Sequence, residues 1–205
     1  MNGDARDWIP LFPDEEIPHI LEAISRCMSG IRKLHPQEHE TRITKRLCIK
    51  LRADYALRHR PILIDREAVE DDEEADADGR LDLRFLLLDP AQKPPPYFAV
   101  EAKRLHVTFR SGWQSLVSEY VTGDQGMMCF ITGRYSKGLR SGAMLGYVFD
   151  RDIPRASKSI SETIVANGNA LRLAHTIPTN PGCQWTTSHH LRDREFAIFH
   201  LLTEV

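Results

Sequence analysis

Two short apolar stretches carry acid at their centres. GRLDLRF, at 79–85, holds Asp82, and YFAVEAKRL, at 97–105, holds Glu101 with Lys103 two residues on. A core strand wants Val or Ile at such places, because a charge taken out of water must be paired or coordinated. Side chains alternate along a strand, so Glu101 and Lys103 share one face while Val100 and Ala102 take the other. If the two stretches are neighbouring strands, Asp82 comes to lie beside Glu101. Two carboxylates held together repel and favour a divalent cation, and oxygen-only ligation suits Mg2+ or Mn2+ better than zinc. The backbone carbonyl of Ala102 completes the protein ligands. Lys103 is then placed to orient a water nucleophile or to neutralise charge building up on a phosphate. A salt-bridge cluster on a sheet face is the alternative account of the same three residues.

The surrounding sequence reads as helices and strands of one domain. At 205 residues, 41% hydrophobic and 27% charged, the chain is long enough to bury a full core. Ile17 to Leu34 has helical periodicity with Asp14 as its N-cap, and Pro36 is expected to start a second helix, 37–57. In that helix Ile43, Leu47, Leu51 and Tyr55 form one stripe, Glu40 sits at its edge, and Glu38 points elsewhere. RPILID reads as a strand, LDPAQKPPPY as a turn, Ser111–Val121 as a helix capped by Ser111, and Met127–Thr132 as a strand. Gly142–Phe149 is a further strand and Ile153–Ala166 a helix, and LRLAHTIP, QWTTSHHL and FAIFHLLTE are short strands.

Charge and cysteine content narrow the function classes. The formal charge of −2 excludes a uniformly basic surface, and much of the acid lies in one solvated run, Glu67 to Gly79, so a nucleic-acid partner would need a local basic patch. Cys27, Cys48, Cys129 and Cys183 form no CxxC pair, which argues against a zinc knuckle or a disulfide framework. His189 and His190 are adjacent, face opposite sides of a strand, and read as turn or surface residues. Trp113 and Trp185 read as core or partner contacts. The acidic N-terminus and the lack of a long apolar run point to no membrane and a cytoplasmic protein.

An Asp, a spacer and then Glu-x-Lys at the end of an apolar strand resembles the PD-(D/E)XK nuclease superfamily, and the likeness extends over roughly Gln37 to Thr132. It implies an α/β, restriction endonuclease-like fold: a central mixed β-sheet flanked by helices, with additional C-terminal strands and a helix. The single domain, 1–205, then divides into an N-terminal helical segment 1–36, a nuclease-like core 37–135, and a C-terminal extension 136–205 that completes the sheet or forms a dimer contact. By this resemblance Asp82 and Glu101 bind metal, Lys103 assists the attacking water, Glu40 is an auxiliary ligand or holds a metal-bound water, and Gln114, in the helix after Lys103, lies near the metal-bound water or the DNA backbone. Arg80, Arg84, Arg104, Arg134 and Lys137 are candidate nucleic-acid contacts. Leu81 stands where the motif's name has proline.

The expected activity is hydrolysis of DNA phosphodiester bonds with Mg2+ or Mn2+. The resemblance places the chain in a bacterial defence or restriction system, with specificity supplied by a homodimer or by a partner protein of a defence complex. A non-catalytic or partner-activated nuclease-fold subunit, and a carboxylate-metal hydrolase of another phosphoester, are the alternatives.

Overall fold

Two patterns of burial set the two kinds of strand. RLDLRFLL alternates, with Leu81, Leu83, Phe85 and Leu87 buried and the residues between them only partly so, whereas SGAMLGYV is buried almost throughout. The first pattern suits a strand near a sheet edge and the second a central strand covered on both faces. The computed structural model describes residues 11–69, 80–135, 139–180, 184–192 and 194–205, without the side chains of 67–69, 80, 177–180 and 184.

After a 3-10 turn at Asp14–Glu16 come α1 (Ile17–Met28), α2 (Glu40–Ala53) and α3 (Tyr55–Arg58). Strands β1 (Ile62–Val69), β2 (Arg80–Leu87) and β3 (Tyr97–Leu105) follow, then a small ribbon of β4 (Val107–Phe109) and β5 (Gly112–Gln114). Next are α4 (Val117–Val121), α5 (Met128–Ile131), β6 (Ser141–Val148) and α6 (Ile153–Ala166), and finally β7 (Leu173–Asn180), β8 (Gln184–His190) and β9 (Glu195–Glu204). The main sheet has seven strands in the order β1-β2-β3-β6-β9-β8-β7. Pairing is antiparallel from β1 to β3, parallel across β3, β6 and β9, and antiparallel again to β8 and β7. The chain is therefore α/β, with a mixed central sheet between layers of helices.

One face carries Phe98, Val100, Ala102, Leu145 and Tyr147 against Ile20, Ile24, Ile43, Leu47 and Leu51 of α1 and α2. The other carries Ala99, Leu105, Met144, Val148, Ile198 and Leu202 against Tyr120, Phe130, Ile160 and Ile164 of α4, α5 and α6. Gly146 leaves room on β6 for its neighbours on β9 and β3: a Cβ there would meet Leu202 and Leu105 side-chain carbons at 2.5 and 2.6 Å.

The strands β6 to β9 and helix α6 lie where the sequence places them, and the segment after residue 136 supplies four of the seven strands. Other expectations are corrected. The second helix starts at Glu40 and ends at Ala53, where Asp54 turns extended (ψ 124°) and caps α3 by accepting from the Leu57 amide, so Tyr55 leaves the apolar stripe and is 79% exposed. Ser111–Val121 is the second half of a β-ribbon followed by a short helix. Met127–Thr132 contains α5, and the strand next to β3 is β6 instead. The helix expected to reach Leu34 ends at Met28, and Asp14 makes no side-chain cap. Glu70 to Gly79, most of the acidic run, lie outside the described residues.

Candidate active site

Pairing between β2 and β3 runs from Leu86↔Tyr97 to Leu83↔Val100 and stops, while β3 continues to Leu105 paired with β6 on its other side. Beyond Val100 the β2-facing edge of β3 thus has backbone amides that need acceptors. Two carboxylates provide them: Asp82 Oδ2 accepts from the Ala102 amide at 2.8 Å, and Glu40 Oε2 accepts from the Arg104 amide at 3.2 Å. A residue in a strand presents its N–H and C=O to the same side, so the Ala102 carbonyl opens into the same gap. The parting of two strands brings Asp82, Glu40 and the Ala102 carbonyl to one place.

Glu101 and Lys103 enter from the same stretch of β3, with only 3% and 6% of their surface exposed. Lys103 Nζ donates to Glu101 Oε1 at 2.6 Å and lies 3.7 Å from Glu40 Oε1. Glu101 Oε2 is buried with no hydrogen-bond partner among the described residues. Burial pushes the Asp82 carboxyl up to about 6; the negative charge of Glu40 adds to this, while Lys103 and the Ala102 amide oppose it. Glu101 is raised well above the usual carboxylate range by burial and then by the charge of Asp82. Burial alone would lower the Lys103 pKa, but the charges of Glu101, Glu40 and Asp82 outweigh it and raise it. The cluster therefore holds three acids and one lysine, with the buried acids short of positive charge.

Among the described residues no group of three or more His, Cys, Asp and Glu side chains stands ready as a metal cage. The cluster offers instead two carboxylates, one with an unpartnered buried oxygen, and a strand carbonyl. This is a hard-oxygen donor set that fits Mg2+ or Mn2+ with water completing the shell.

The other expected site residues are dispersed. Gln114 is exposed on β5, opposite Val107, in the ribbon. Arg84 is engaged by its cross-strand neighbour, with Nη2 3.3 Å from Asp65 Oδ2 and its guanidinium over the Tyr97 ring. Arg104 borders the cluster, 3.9 Å from Glu40 and over the Phe109 ring. Arg134 donates to the Asp124 carbonyl at 3.3 Å. Lys137 and the side chain of Arg80 lie outside the described residues, as does Cys183, whereas Cys27, Cys48 and Cys129 are buried free thiols.

Three polar arrangements escaped the sequence reading. Glu38 is fully buried and held by Arg46 at 2.6 and 3.0 Å and by the Leu34 amide at 2.7 Å. His106 Nδ1 meets Asp150 at 3.0 Å, and its Nε2 is buried with no hydrogen-bond partner among the described residues. His189, expected at a turn or surface, is fully buried in a relay with Tyr120, His200 and Thr187. The Leu171 carbonyl can only accept, so His189 Nδ1 donates to it at 2.7 Å. The neutral ring then accepts at Nε2 from Thr187, whose oxygen accepts from His200 Nε2–H, and His200 Nδ1 accepts from the Tyr120 hydroxyl at 3.0 Å, closer than the Met144 carbonyl that the same hydroxyl faces at 3.3 Å. Burial keeps both rings neutral, driving His200 down to about 3 and lowering His189.

A cavity of about 500 Å3 lies beside the start of α1, lined by Ile17, Leu21, Arg140, Thr186 and Phe199 among others, and contains none of the acidic cluster. Comparison of the chain with family models, with curated proteins and with solved structures finds no match. Among the described residues no helix is long and apolar enough to cross a membrane.

Proposed function

We propose that this chain is a metal-dependent nuclease that hydrolyses DNA phosphodiester bonds, on a restriction endonuclease-like arrangement of its α/β fold. The observation that carries the reading is the meeting of Asp82, Glu101, Lys103 and Glu40 where β2 parts from β3, with Asp82 and Glu101 both raised in pKa. The order α2, β1, β2, β3, α4, β6, with β6 parallel to β3, supports it as well.

Asp82, Glu101 and the Ala102 carbonyl would hold Mg2+ or Mn2+, and the ion, when bound, supplies Lewis-acid stabilisation of charge on the scissile phosphate. Lys103 holds and orients the attacking water and donates to the phosphate oxygen that gains charge. Glu40 is a positioning residue: it bonds the Arg104 amide and lies 3.7 Å from the Lys103 ammonium. Arg104 stands at the border of the cluster, where a phosphate of the bound strand would lie.

A second reading keeps the fold but requires a partner, and one observation favours it. The Lys103 ammonium gives one of its three N–H groups to Glu101 Oε1 at 2.6 Å, and this ion pair competes with a divalent cation for that carboxylate. In a defence or restriction system, a second subunit bringing target DNA would be the activator. Incubation of supercoiled plasmid and linear DNA with the protein in Mg2+, in Mn2+ and in chelator, beside Asp82→Ala, tests the proposal. Metal-dependent cleavage lost in the variant is expected. Cleavage that survives chelator or the substitution overturns it, and no cleavage under any condition moves the protein to the partner-dependent reading.

A further inference from the structure

The chain leaves β3 three residues after Lys103 through His106, whose φ is +57°, and re-enters the helical layer through Leu116, whose φ is +54°. Between these two left-handed joints stands the β4–β5 ribbon, separate from the main sheet, its base closed by the His106 amide on the Ser115 carbonyl at 3.0 Å. The chain reverses over Arg110 and Ser111, with Gly112 at φ +118°, a conformation that strains any residue with a side chain. Non-glycine residues held at positive φ persist where the surrounding structure enforces them, often at functional positions. Here two of them flank one projecting element.

That element is anchored at its base and bare at its tip. Phe109 packs beneath Arg104, and Trp113 packs against His106 at 5.3 Å with the Arg155 guanidinium 4.2 Å above its ring. His106 is in turn held by Asp150. Thr108, Arg110, Ser111, Gly112, Trp113 and Gln114 are all exposed. Arg110 makes no ion pair among the described residues. At the base of the ribbon Asp150 is occupied with His106, and Asp152 accepts from the Arg155 amide as the cap of α6.

We propose that the β4–β5 ribbon inserts into a groove of duplex DNA beside the cleavage site, with Arg110 at its tip as the contacting side chain. The inference rests on the nuclease reading of the acidic cluster. A two-stranded ribbon matches the width of the DNA major groove, and His106 at its base lies about 10 Å along the strand from Lys103 with the Arg110 tip about 13 Å further out, so a duplex lying on the cluster brings its groove to the tip. A single-stranded partner is the weaker fit, because the face of Trp113 that would stack on a base is covered by Arg155.

The test is fluorescence anisotropy of a labelled duplex with the full chain in chelator, over a salt series, comparing wild type, Arg110→Ala and Arg192→Ala, an exposed arginine on the β8–β9 connection. Arg110→Ala is expected to weaken duplex binding about tenfold and to flatten the salt slope by about 0.9, while Arg192→Ala changes neither. Wild-type binding by Arg110→Ala, absence of binding, or equally tight Arg110-dependent binding of single strands overturns the proposal. Chelator separates this result from catalysis. A chain that binds duplex through Arg110 but never cuts in Mg2+ keeps the ribbon and moves cleavage to the partner-dependent reading; one that cuts with Arg110→Ala binding unchanged keeps the nuclease and loses the ribbon.

Discussion

Asp82→Asn should make the metal-free protein more stable. The folded Asp82 carboxyl titrates at about 6 against an ordinary 3.8, and at about 1.4 kcal/mol per unit the ionised form costs the fold up to about 3 kcal/mol. Local relaxation brings a realistic figure to ~1–2 kcal/mol. Asparagine keeps an oxygen for the Ala102 amide, and its NH2 can donate to the orphaned Glu101 Oε2. An acid whose folded pKa is raised leaves its stability intact below its unfolded pKa and loses it as pH climbs through the folded value. The gain should therefore be full above pH 6, fall to roughly a third by pH 4.5, and vanish in more acid solution. At this chain length it corresponds to about 2–8 °C in Tm. Thermal and urea unfolding in chelator at pH 7.5 and 4.5 measure it. An Asp82→Asn protein no more stable than wild type at pH 7.5, or a gain of equal size at both pH values, refutes the reasoning.

Other sites give equally direct expectations. Lys103→Ala should lower the cleavage rate by about 10²–10³-fold while circular dichroism stays native, since the buried ammonium belongs to the acidic cluster and to neither hydrophobic layer. Arg46→Ala strips the guanidinium that holds the buried Glu38 carboxyl below its usual range. It should cost about 3 kcal/mol near neutral pH and less in acid, where Glu38 protonates and the pair's contribution is lost in any case; urea unfolding at two pH values reads both. Thr187→Val leaves His189 Nε2 without a donor and His200 Nε2–H without an acceptor, a loss of about 2 kcal/mol. Nitrogen NMR of the wild type should show His189 protonated at Nδ1 and His200 at Nε2, the direction imposed by the Leu171 carbonyl.

The strands were legible because their alternation and length are strong local signals. Asp82, Glu101 and Lys103 stood out as charges inside those strands, and Glu40 as an acid at the edge of an apolar helical stripe. The errors share a physical origin. MMCFIT is short, apolar and buried on all sides, so periodicity does not separate strand from helix, and Gly126 and Gly133 bound either. In VTFRSGWQ the alternation and the Ser-Gly pair signal a hairpin that overrides the helical pattern of SGWQSLVSEYV, and the hairpin takes Gln114 into a strand. Glu38 precedes α2, so a helical-face argument did not apply to it. The buried His189 relay joins residues far apart in the chain, including Tyr120 and His200, and no local pattern carries such a contact.

Titration of the full chain with Mn2+, followed by electron paramagnetic resonance of the free ion, tests the central claim most directly. The account predicts saturable uptake at a site made by Asp82 and Glu101, abolished in Asp82→Asn and in Glu101→Gln while both variants remain folded. Uptake that is unchanged in these variants, or absent from the wild type with and without duplex DNA, contradicts it and leaves the cluster as a buried salt bridge.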